Sequence, residues 1–95
     1  MAQVVRVVRL HSRPDAAQQL AQSVTDLLSS EPPRGLLRAY VVRDLGDSSV
    51  VLLMSVFDGL EGMAANTPSL EASLALLRPM LVEEAEISSY ELLAS

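Results

Sequence analysis

The sequence contains no cysteine, no tryptophan and no lysine, and its only aromatic side chains are Tyr40, Phe57 and Tyr90. Without cysteine, neither a disulfide nor a thiolate metal site can brace a small fold. With so few rings, the core must be aliphatic. The longest uninterrupted apolar run, Val50 to Met54, falls far short of the roughly 20 residues of a membrane-spanning helix. Arg6 and Arg9 interrupt what could otherwise be the apolar stretch of a signal peptide. A soluble, cytoplasmic protein with no membrane partner is therefore expected. Positive charge is also scarce: seven arginines face twelve acids, for a formal net charge of −5. That balance opposes the counterion release that drives nucleic-acid binding, and no basic run or stacking platform offsets it, so no nucleic-acid partner is expected. A single histidine, His11, cannot build a metal site unless carboxylates converge on it, and no His-x-x-x-His spacing exists. Phosphate-cradling glycine loops, nucleophile elbows and carboxylate pairs of glycosidase type are likewise missing.

What remains is a chain of 95 residues, 49% of them apolar, which suits one small packed domain spanning residues 1–95. Such a domain buries only about 60–65% of its unfolded surface, so a second copy is the obvious additional support. Val4 to Leu10 is rich in β-branched valine and reads as a strand. Ser12, Arg13, Pro14 and Asp15 have the chemistry of a helix start, with Ser12 as the cap. Ala17, Leu20, Ala21, Val24, Leu27 and Leu28 then share one helical face, and Pro32, Pro33 and Gly35 stop the helix. Leu36 to Leu45 and Ser49 to Phe57 read as strands joined by Gly46, Asp47 and Ser48 into a hairpin. Asp58 can cap a short helical piece over Gly59 to Ala65. Thr67-Pro68 opens a further helix with Leu70, Leu74, Leu77 and Leu81 on its apolar face, bent or ended near Pro79, and Ala85 to Leu93 supplies a last strand.

Strand, helix, strand, strand, broken helix, strand is the order of an α+β, ferredoxin-like split βαβ fold with a four-stranded antiparallel sheet. Both alternations of the third strand are apolar: Val50, Leu52, Met54 and Val56 form one set, and Val51, Leu53, Ser55 and Phe57 the other. One set covers the helices. The other would be a larger exposed apolar patch than monomers usually carry, which predicts a homodimer packed face to face, a dimeric α/β barrel.

Along essentially its whole length the chain resembles the antibiotic biosynthesis monooxygenase (ABM) superfamily of dimeric α/β barrels. The resemblance lies in Val7-Val8-Arg9-Leu10 leading into Ser12-Arg13-Pro14-Asp15, in Glu31-Pro32 before a glycine, in Val42-Arg43-Asp44-Leu45-Gly46-Asp47, in Phe57-Asp58-Gly59-Leu60-Glu61-Gly62-Met63, and in Asn66-Thr67-Pro68. It implies a substrate held between helices and sheet, and a cofactor-independent monooxygenase acting on a planar, hydrophobic, polyketide-like quinol or anthrone. Phe57 stands where the family typically has tryptophan, and Ala64 and Ser69 stand where histidines are common around the Thr-Pro step. Haem degradation is disfavoured accordingly. A non-catalytic ligand-binding or structural dimer is the alternative, and an isomerase or cyclase a further one.

Several residues could carry such chemistry, each against a plainer reading. His11 could shuttle a proton from an aromatic hydroxyl, or be an exposed strand-end histidine. Tyr40 and Tyr90 could donate to a carbonyl or simply sit half-buried on strands. Asn66 could offer its amide to a pocket or end a helix. Phe57 could stack on a planar substrate or pack in the core. Met54, Met63 and Met80 are flexible fillers of core or pocket wall. Arg6 and Arg38 interrupt apolar strands and call for acids of a partner copy, such as Glu86 or Glu91, or for an anionic ligand. Arg38 shares parity with Leu36, Tyr40 and Val42, opposite to the helix-facing candidates Leu37, Ala39 and Val41; whether Arg6, or instead Arg9 with His11, faces the helices stays open. Glu83, Glu84 and Glu86 read as a solvated surface. The expected substrate-binding set is Arg38, Tyr40, Ser55, Phe57, Met63 and Asn66, with His11, Tyr40 and Asn66 as catalytic candidates and no cofactor or metal.

Overall fold

The computed structural model describes residues 2–29 and 35–95. Its elements are β1 (Val4–His11), α1 (Ala17–Leu28), β2 (Leu36–Arg43), β3 (Val50–Phe57), α2 (Leu60–Leu77) and β4 (Glu86–Glu91), with a turn of 3-10 helix over Arg78–Met80 closing α2. All neighbouring strands run antiparallel in the order β2-β3-β1-β4. This is the expected α+β, ferredoxin-like arrangement, with both crossover helices on one face of the sheet.

Strict alternation along β1 resolves its parity: Val4, Arg6, Val8 and Leu10 are buried, whereas Val5, Val7, Arg9 and His11 are half-exposed. Val8 and Leu10 join Leu20 and Val24 of α1, Val51 of β3, and Leu70 and Leu77 of α2 in the core, with Leu53, Leu74 and Leu81 packed against it. Arg6 therefore points the same way as the core. On β3 the inward set is Val51, Leu53, Ser55 and Phe57. Directly across, Val41 and Ala39 of β2 face Leu53 and Ser55. A β-bulge falls between Leu36 and Arg38, so Leu36 pairs with Phe57 while Arg38 pairs with Val56. Leu37, expected to face the helices, is the extra residue and lies 48% exposed; Leu36 turns inward in its place.

Three local expectations are corrected. Ser12 does not cap α1: its N–H donates to Ser49 O at 2.8 Å and it forms a bridge with Leu81, extending the β1 pairing. The helix starts at Ala17 with Ala16 as N-cap and no side-chain cap. Asp58 does not cap a helix either, because Gly59 holds the N-cap position of α2, again without a side-chain cap. The short helix and the Thr67-Pro68 helix are one continuous α2 with Pro68 inside it. The missing Pro68 N–H falls on an exposed stretch, where water can serve the carbonyl left over, while Leu70, Leu74 and Leu77 on the buried side hold the helix together. Pro79 sits in the 3-10 turn that terminates α2, as expected. The Glu31-Pro32-Pro33 stop lies outside the described residues; α1 is seen to end at Leu28 with Ser29 as its cap.

Tight joints fix the sheet. In the β2–β3 turn, the Asp44 carboxylate accepts from Gly46 N–H at 2.6 Å, and Asp47 accepts from the Ser49 hydroxyl at 2.6 Å and its N–H at 3.0 Å. These Ser49 hydrogen bonds, the hydroxyl's first, hold the Asp47 carboxyl below its ordinary range. Where β2 begins, Gly35 has φ +86°, a conformation that penalises any side chain, and its carbonyl accepts from Asp58 N–H at 2.9 Å. A Cβ on Gly35 would stand 3.1 Å from Gly62 Cα, so two glycines let the start of β2 meet the first turn of α2. Across the far side of the sheet, Val5, Val7, Arg9, Leu52, Met54, Arg38, Tyr40, Val42, Ser88 and Tyr90 share one uncovered face. Tyr40 and Tyr90 are 50% and 57% exposed there. No helix among the described residues is long and apolar enough to cross a membrane.

Candidate functional site

Between the two helices and the sheet the layers do not close completely, leaving a cavity of about 260 Å³. Most of its wall is aliphatic: Val8, Leu10 and Leu53 from the sheet, Val24, Leu27 and Leu28 from α1, and Leu70, Leu74 and Leu77 from α2. Polar groups gather towards one side. Arg6 of β1, Ser55 of β3 and Asn66 of α2 line it, with Ser69 and Ser73 one and two turns further along α2.

Arg6 dominates the electrostatics of this cavity. The residue is only 5% exposed, because β1 is flanked on both sides by paired strands and its inward face lies under α2. Its Nη2 donates to Asn66 Oδ1. Its guanidinium carbon lies 5.0 Å from the centre of the Phe57 ring, within cation–π range. Among the described residues, the buried Nε and Nη1 have no hydrogen-bond partner and no carboxylate pairs with the group. Burial lowers the Arg6 pKa from its ordinary value, the sign of a cation removed from water without a compensating anion.

Of the residues expected at a site, the structure brings Ser55, Phe57 and Asn66 together around this cavity, and adds Arg6. Others lie elsewhere. Arg38 and Tyr40 occupy the uncovered sheet face, opposite Val56 and Met54, because side-chain alternation along β2 turns them away from the helices. Met63 does not line the cavity; its Sδ receives the Ser89 hydroxyl at 3.7 Å. His11 is at the end of β1 on the uncovered side, where Nδ1 lies 2.9 Å from Glu83 Oε1, with Arg9 Nη1 3.6 Å from the same oxygen. The His11 hydrogen bond holds the Glu83 carboxyl below its usual range. Glu83, read as plain solvated surface, is thus the shared partner of His11 and Arg9. Glu86 lies opposite Arg9 in register, and Glu91 opposite Val4.

Ser69 entered the sequence reading only as a departure from the resemblance and Ser73 not at all, although a signal existed. Positions 66, 69, 70, 73, 74 and 77 form one helical stripe, three of them polar at its N-terminal end. A second hollow of about 490 Å³ lies beside Val4, Gly59, Leu60 and Tyr90, but every polar side chain around it is exposed to solvent. No group of three or more potential metal ligands occurs among the described residues.

No family model and no curated protein matches this sequence. Solved structures do match its fold. One is a protein of unknown function from Nitrosomonas europaea, 21% identical, covering all of this chain and 93% of its own, with TM-score 0.86. Another, named "putative antibiotic biosynthesis monooxygenase", comes from Deinococcus radiodurans: 21% identical, covering 97% of this chain and 94% of that one, TM-score 0.83. A third, of the same name and from Nitrosomonas europaea, is 14% identical and covers 96% of this chain and 99% of its own, with TM-score 0.82. This chain therefore has the fold of the structures named as antibiotic biosynthesis monooxygenases.

Proposed function

We propose that this protein binds a planar, hydrophobic molecule in the cavity between helices and sheet, and that the reaction it hosts is cofactor-independent oxygenation of a quinol or anthrone. The observation that carries the reading is the cavity itself: an aliphatic slot under two helices, with its polar groups gathered around Arg6 and the Phe57 ring beside them. A slot of this kind orients a flat molecule by its apolar walls and fixes its direction through a few placed donors. The names of solved structures with the same fold support the oxygenase part. Pairing of a second copy on the uncovered sheet face belongs to the same reading, since Tyr40, Val42 and Tyr90 are exposed there beside Leu52 and Met54.

One observation favours a second reading, a binding dimer without catalysis. Neither histidine, tyrosine nor carboxylate lines the cavity among the described residues, so no conventional proton acceptor faces a bound quinol. Oxygen uptake by the purified protein with a panel of anthrones and dihydroquinones separates the two. Turnover above the uncatalysed background is expected for an oxygenase. Ligand-induced rise in melting temperature with no oxygen uptake identifies the binding dimer, and neither response would remove both readings.

A further inference from the structure

Arg6 is a charge placed where folding alone gives no reason for one. A guanidinium has five N–H donors and no acceptor, and Asn66 Oδ1 takes only from Nη2. Among the described residues Nε and Nη1 find no partner, in a residue 5% exposed. Phe57 offers its ring face, which attracts a cation but accepts no conventional hydrogen bond in its plane. A leucine in place of Arg6 would continue the Val4, Val8, Leu10 side of β1 without any desolvation cost. What the arginine adds is a fixed positive group at the polar side of an aliphatic cavity, with Ser55 beside it in register and Ser69 lining the same cavity as further hydroxyl donors.

We infer that the cavity is an anion-capped apolar site: it takes a flat hydrophobic molecule carrying one oxyanion, a carboxylate or an ionised phenol or enol, whose charged oxygen sits on the free Arg6 nitrogens. The inference rests on the proposed reading of the cavity and narrows it from neutral planar molecules to acidic ones. It also supplies what the cavity lacks. A phenol bound against an unpartnered buried cation ionises more readily, because the nearby positive charge favours the charged form of the ligand. No protein base is then required to hold a quinol as its anion; Arg6 stabilises the ionised form and water takes the proton. Asn66 acts here as a positioning residue, holding the guanidinium from α2 while the ligand meets it from the cavity.

Calorimetric titration of the unaltered protein with matched ligands tests this. Naphthoate is expected to bind more tightly than the isosteric naphthamide by about tenfold or more, a gap that the Arg6→Gln variant closes. Para-nitrophenol, whose ionised form is yellow, covers the phenolic source: bound to the unaltered protein its titration midpoint moves to lower pH, and with para-nitroanisole no colour develops. Equal affinity for naphthoate and naphthamide together with an unmoved nitrophenol midpoint overturns the inference, as does a naphthoate preference that survives Arg6→Gln. Should Arg6→Gln fail to fold, the nitrophenol midpoint on the unaltered protein decides alone. Tight naphthoate binding without oxygen uptake on quinols supports this site while ending the oxygenase reading. Oxygen uptake on quinols without an anion preference does the reverse.

Discussion

Arg6 and Glu83 stand in opposite electrostatic settings, one buried and one exposed, and each makes its own residue-scale prediction. Arg6 is held from one side by Asn66. Asn66→Ala removes its one acceptor among the described residues and leaves a buried charge still less satisfied, so unfolding in urea should show a loss of about 1–3 kcal/mol. Glu83 is an exposed carboxylate whose pKa is depressed by the His11 hydrogen bond. A depressed carboxylate contributes stability above its unfolded pKa, about 4.3, and that contribution disappears as pH falls through the lower folded value. Melting curves should therefore show the native protein ahead of Glu83→Gln at pH 6 to 7, with the gap closing as the solution is acidified below about pH 4. A gap that stays constant with pH would detach Glu83 from the cluster. Glycine behaves differently again. Gly35→Ala places a side chain at φ +86° and against Gly62, so it should cost about 1–2 kcal/mol or more in the same urea assay, while Gly46→Ala, which meets only the movable Asp44 side chain, should be much milder.

Elements were legible where one rule governed them. The α1 face, the valine strand and the hairpin follow from periodicity and turn chemistry, and Leu20, Val24, Val8 and Leu10 lie in the core accordingly. Boundaries failed where two rules compete for one residue. Ser12 has the hydroxyl of a helix cap, yet a partner strand and the Leu81 bridge were available to its backbone, and pairing with distant chain is invisible to local pattern. Pro68 carries a breaker's signature, but the buried side of α2 outweighed it. The facing of β2 near its start was read one residue out because a bulge leaves no mark in a sequence of alternating aliphatics. That same limit hid the site: Arg6 and Arg9 are chemically alike, and only the pairing of β1 shows which one meets the helices. Pro68→Ala should raise stability, by about 1–2 kcal/mol once the unfolded-state gain in freedom is set against the roughly 3 kcal/mol interior proline penalty. Thermal unfolding measures it; an unchanged midpoint would mean that α2 is already relaxed around the ring.

At the scale of the whole molecule, the fold class was legible from element order alone, while the occupant of the uncovered sheet face was not. Its mixture of Val7, Met54, Val42 and Tyr40 with Arg9 and Arg38 suits a second copy better than solvent. Light scattering should give twice the 10.2 kDa chain mass at micromolar concentration, and Met54→Glu should return the chain to its single mass with α and β content retained. A native monomer would leave the sheet face without its proposed cover. The position of β1 has a kinetic consequence. It is an interior strand, hydrogen-bonded to β3 along its length and to β4 from Val4 to Arg9, so its amides belong to the slowest-opening part of the molecule. Arg6 therefore keeps its place for as long as the protein stays folded, while the helices that form the other wall of the cavity belong to the layer that opens sooner. Hydrogen exchange should record that division as a difference in lifetime: protons on Val4 to Leu10 that outlast those on α1 and α2 by orders of magnitude, with ligand shielding the helices and leaving β1 unchanged.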